Sequence, residues 1–132
     1  MASTPTFVGA VSTEVASLTA PVAVTARTNI AGVTGLTQLT AVSAIGKRTD
    51  FITVKGKAAT VASNLFLWLF DGTTSYLLSE IDLPAVTPTN TVDSVEITKY
   101  FPTGLNLMAG QRLYVSVTVS VDVNVFASGA TY

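Results

Sequence analysis

The chain contains neither cysteine nor histidine. Without thiols, disulfides and thiolate metal sites are excluded. Without imidazole, so are Ser-His and Cys-His nucleophile pairs, imidazole acid–base catalysis and zinc sites built on either residue. Charge is also scarce: 11% of 132 residues are charged and the net charge is −1, where about 25% is usual for a soluble domain. Mean hydropathy is correspondingly high at +0.53. Weakly charged, near-neutral surfaces tend to associate, which predicts a member of an assembly, a homo-oligomer and not a free monomer. No apolar run approaches the roughly 18 residues of a membrane span, and the start, MASTPTFVGAVSTE, lacks the basic and apolar regions of a secretory signal. Neither a membrane nor nucleic acid is expected as a partner, and no cofactor is implied.

What the chain has in excess is threonine and valine, 21 and 18 copies, both β-branched and both suited to extended backbone. The pattern is clearest in LYVSVTVSVDVNVFASGATY at 113–132. Every odd position from Leu113 to Val125 is aliphatic, and the even positions are Tyr114, Ser116, Thr118, Ser120, Asp122 and Asn124. A period of two over thirteen residues means β structure with one dry and one polar face. Because strands usually run roughly 5 to 6 residues, a bend, bulge or reversal is expected near Ser120 to Asp122.

The rest of the chain reads as short strands separated by turns. Residues 1–6 are small and polar with a proline and suggest a flexible arm; residues 7–132 form one domain, a size that buries a self-sufficient core. Strands are expected over 7–14, 22–27, 36–45 and 51–55, with a further extended piece to 61. Between them lie a loop at 28–35 and a turn at 46–50 (GKRTD). The run NLFLWLFDG at 64–72 is apolar on both faces, Leu65, Leu67 and Leu69 against Phe66, Trp68 and Phe70, so both faces are expected to be covered. Asp71-Gly72 signals a hairpin, 75–83 returns as its partner, and 92–101 forms a strand before FPTGLNLMAGQ turns into the last segment. Seven to nine short strands at such spacing predict an all-β antiparallel sandwich, jelly-roll-like.

Three groups of residues are candidates for function. Phe66, Trp68 and Phe70 form an aromatic stripe that fits core, a subunit interface or a sugar-stacking surface. Because a single sandwich has one interior, the interface is the functional reading carried forward. Lys47, Arg48, Lys55 and Lys57, four of the seven cations, fit either an electrostatic footprint for an acidic protein partner or a lysine-protected strand edge. The eight carboxylates are dispersed beside turns and on polar strand faces, so a catalytic pair is not expected and the protein is not expected to be an enzyme.

The segments DGTTSYLLSEIDLPAVTP (71–88), AGQRLYVSV (109–117) and VNVFASGATY (123–132) resemble small proteins encoded among the virion genes of tailed bacteriophages and prophages. The resemblance covers about the second half of the chain. It implies a virion component made in the bacterial host cytoplasm, a capsid decoration or cement protein that binds the major capsid protein on the outer lattice. It carries no catalytic residues. The arm, Ala2, Ser3, Thr4, Pro5, Thr6 and Phe7, is expected to grip a neighbouring capsid subunit by strand addition. A tail-associated receptor- or carbohydrate-binding module is the alternative, and would need exposed aromatics beside a polar cleft.

Overall fold

The structure is a computed structural model that describes residues 10–131. The arm 2–7 and the first residues of the expected 7–14 strand lie outside the described residues. Nine strands and no helix are found among those described: β1 (Ala10–Leu18), β2 (Ile30–Ala31), β3 (Thr37–Gln38), β4 (Lys47–Gly56), β5 (Ser63–Phe70), β6 (Thr74–Leu83), β7 (Glu96–Leu107), β8 (Arg112–Val117) and β9 (Val123–Thr131). They form two antiparallel sheets, sheet A in the order β1-β9-β4-β7 and sheet B in the order β2-β6-β5-β8-β3.

Setting β2 aside, the pairs β5–β6, β4–β7, β3–β8 and β1–β9 nest one within the next. This is one long antiparallel ribbon rolled into a sandwich, the jelly-roll arrangement. The Asp71-Gly72 hairpin is the tip of that ribbon. Asp71 Oδ1 accepts the backbone N–H groups of Thr73 and Thr74, each at 2.8 Å, and Gly72 takes the left-handed φ of +102° that the turn requires.

The core between the sheets is aliphatic. Leu18 of β1, Ile52 and Val54 of β4, Leu65 and Leu67 of β5, Leu113, Val115 and Val117 of β8, and Val123 and Val125 of β9 are all buried in it. The period-two run at 113–125 therefore divides between layers. Its break at 118–122 falls where expected, but the segment is neither one bent strand nor a hairpin: it crosses from sheet B to sheet A, and both halves point their odd residues into the same interior from opposite sides.

The structure overturns the interface reading of Phe66, Trp68 and Phe70. All three are buried within the chain, in a second cluster with Tyr114 on the outer side of sheet B. The long connection between β1 and β4 lies across them and packs Val24, Ile30, Val33 and Leu36 against their rings. Both faces of β5 are covered as expected, but the cover is the chain's own loop. That use of the loop also accounts for the short β2 and β3, and for finding only a single bridge, Ala23 to Val117, where 22–27 reads as a strand. Val24, Ile30, Val33 and Leu36 pack over aromatic rings, so little of the segment that carries them runs in a ladder.

Two turn readings also change. Residues 47–50 begin β4 because Lys47 and Thr49 point inward and are buried at the end of the sandwich. The register then shifts between Thr49 and Phe51, so that even positions Ile52 and Val54 face in. Opposite this shift, β7 passes through Pro102 and Gly104 with 101–104 inserted between the paired Tyr100 and Leu105. Gly129 of β9 lies so close to the Arg48 carbonyl that a Cβ would collide with it, and glycine is therefore required for β4 and β9 to pair at this point.

Candidate functional site

The covering loop is held by a latch. Arg27 donates from Nε and Nη2 to the two carboxylate oxygens of Glu80, both at 2.9 Å, while its guanidinium lies 5.2 Å from the centre of the Phe66 ring. The Arg27 hydrogen bonds hold the Glu80 carboxyl below its ordinary range, and the hydrogen bonds from Thr74 and Thr73 do the same for Asp71. A carboxylate depressed on folding adds stability that is complete above its ordinary value and is lost as pH falls through the folded value. For Glu80 the loss begins below the ordinary 4.5. We expect acrylamide quenching of Trp68, the only tryptophan, to rise over that acid range as the loop loosens. Glu80→Gln should be more quenchable at neutral pH and flat with pH; equal, flat quenching in both proteins would show that this pair does not hold the loop.

The four cations do not make a basic footprint. Lys47 is buried, with Nζ 2.8 Å from Glu14 Oε1, so it is corrected from a surface contact to an internal ion pair. Arg48 pairs with Asp50 at 2.7 Å and Lys55 lies 3.7 Å from Glu96. Lys57 donates to the hydroxyls of Ser17 and Thr19 at the opposite end of β4 from Lys47. Three of the four thus sit beside a carboxylate, which leaves little net field for an acidic partner.

Two other surfaces stand out once the strands are placed. The first is the end of the sandwich where β1 begins, at which Ala10 and Lys47 flank Thr131 and Lys47 in turn pairs with Leu107. Two loops meet there, joined by the Gly110 N–H donating to the Ser43 carbonyl at 3.0 Å. They leave Val42, Ile45 and Met108 exposed by 52%, 68% and 72%, large side chains in water on connected loops.

The second is on the outer face of sheet A, which no segment among the described residues covers as the β1–β4 connection covers sheet B. Phe51 and Tyr100 are register partners there with ring centres 5.5 Å apart and planes tilted by 45°. The 101–104 insertion and the register shift of β4 open a cleft of about 390 Å³ beside them, walled by Arg48, Asp50, Thr103 and Gly104. Gly104 has φ +75° and lies under the Arg48 side chain, where a Cβ would run into it. Neither surface is evident from the sequence. Phe51 and Tyr100 stand 49 positions apart in different strands, and Ile45 closes the weakly alternating stretch 36–45 that reads as a strand. The signals available were the FPTG turn residues beside Tyr100 and the break in alternation across GKRTDF.

No protein-family model, curated protein or solved structure matches this chain.

Proposed function

We propose that this protein is a structural component of a tailed-bacteriophage virion, a capsid decoration protein that binds the major capsid protein on the outer lattice in many copies, self-associated as trimers. The observation that supports it is the exposed apolar end, where Val42, Ile45 and Met108 project from two joined loops beside the start of β1. Burying each on a partner is worth about 1.5–3 kcal/mol, and repetition over a lattice multiplies such modest contacts. The resemblance in 71–88, 109–117 and 123–132 points to the same class of protein. The closed jelly roll suits it as a rigid unit presenting one end.

The test is add-back of purified protein to particles stripped of it, with bound protein measured by mass spectrometry of separated heads and tails. We expect saturable binding to heads, and at least tenfold weaker binding for Ile45→Asp combined with Met108→Asp, whose wild-type side chains are in solvent and whose replacement leaves the core intact. Binding confined to tails would favour the receptor-binding alternative. Undiminished binding of the double variant would remove this end as the contact.

A further inference from the structure

We propose that the cleft between β4 and β7 is a saccharide-binding site, with Tyr100 as the stacking platform and the Arg48–Asp50 pair as the wall that reads hydroxyls. The inference is independent of the virion reading and holds for a head or a tail protein.

The cleft exists because two regular strands are interrupted at the same level. β4 shifts register at Asp50 and β7 inserts 101–104 opposite it, which forgoes ladder hydrogen bonds and turns side chains out of the sheet plane. Tyr100 is 69% exposed, an unusual position for an aromatic ring. Phe51 supports it from one side and leaves a ring surface toward the cleft.

The polar wall has fixed geometry and spare capacity. Arg48 donates from Nε to Asp50 Oδ1 at 2.7 Å and from Nη2 to Oδ2 at 3.4 Å. A guanidinium carries five N–H groups and a carboxylate about four acceptor sites, so both have positions left over, and both side chains keep about a third or more of their surface in solvent. Gly104 leaves room for the Arg48 side chain, whose Cγ and Cδ lie where a Cβ at 104 would stand.

The ligand class follows from charge. An anion would gain from Arg48 and be opposed by Asp50, and a cation the reverse. A neutral polyhydroxyl ligand uses both, because each hydroxyl donates and accepts, and a pyranose also offers an apolar C–H face to an aromatic ring. A volume of about 390 Å³ sits at the small end of ligand clefts, fitting a short saccharide.

The experiment is saturation-transfer NMR of the full-length protein against neutral gluco-, manno- and galacto-configured oligosaccharides, their uronic-acid counterparts and a proline-rich peptide, followed by calorimetric titration of any that bind. We expect a neutral oligosaccharide to bind, Tyr100→Ala and Asp50→Asn each to weaken it about tenfold or more, and the remote Lys55→Ala to leave it unchanged. Circular dichroism melting of each variant checks the fold. Should Tyr100→Ala lower the melting temperature, Asp50→Asn, which keeps the side-chain shape, decides the matter. Failure of every saccharide to bind, binding only by the acidic sugars or the peptide, or neutral-sugar binding indifferent to Asp50→Asn would overturn the assignment.

Discussion

Trp68→Ala is expected to lower the free energy of unfolding by about 3–5 kcal/mol, the range for removing a fully buried large aromatic. Trp68 has no exposed surface, and its ring packs edge-on to Phe66 at 6.1 Å and 72°. Its indole N–H donates to the Ser116 hydroxyl at 2.9 Å in a buried bond, so alanine leaves both a cavity and an unpartnered hydroxyl. The damage should be uneven. Trp68 belongs to the cluster under the β1–β4 connection and not to the aliphatic interior, so native-state hydrogen exchange should accelerate more in 22–38 than in β8 or β9. Denaturant unfolding at one fixed protein concentration measures the first effect and exchange mass spectrometry the second. A loss below about 1 kcal/mol, or exchange that rises equally everywhere, would mean that the ring does not anchor the loop.

The second large effect is expected at the start of β4, where Lys47 is buried. Glu14→Ala removes the partner of Lys47, whose side chain is only 7% exposed while that of Glu14 is 22% exposed. It also leaves the Ala41 N–H without the Glu14 Oε2 acceptor. Stranding a buried ammonium costs roughly 3–5 kcal/mol, and the partial exposure of Glu14 places this site at the low end, about 3 kcal/mol. The physical claim is tested by asymmetry. Glu14→Leu combined with Lys47→Met, which removes both charges and fills the space, should recover most of the loss, because the pair's attraction largely offsets its own desolvation. A double variant as unstable as Glu14→Ala would show that packing around the two side chains, and not the lone charge, controls stability here.

The two variants probe features of different legibility. Double burial of β5 is readable from the sequence, since six consecutive apolar residues leave no polar face. What covers it is not: 22–27 and 36–45 have enough alternation and β-branching to read as strands, and only the placement of Val24, Ile30, Val33 and Leu36 across the sheet B aromatics shows that the connection packs over a surface. The GKRTD stretch misleads for a related reason. Lysine and threonine in sequence mark a turn, yet at a sandwich end a buried lysine is sustained by one carboxylate that arrives from 33 positions away. The aromatic stripe reads in sequence as the place where this protein meets others, whereas Tyr100, an exposed aromatic, reads as part of an ordinary strand.

The class of fold is legible in short stretches of residues. Excess threonine and valine, the alternation at 113–125 and the Asp71-Gly72 turn act through neighbouring residues, and local backbone preference with period-two burial is enough to require an antiparallel sandwich and to mark the tip of its ribbon. Tertiary structure alone decided that 118–122 crosses between sheets, that the chain covers its own aromatic face, that Lys47 is an internal charge, and that Arg48, Asp50, Phe51 and Tyr100 share a cleft. Each of these depends on strand order and register, which bring residues tens of positions apart to within a few ångströms, and neither quantity is written in any local stretch of residues.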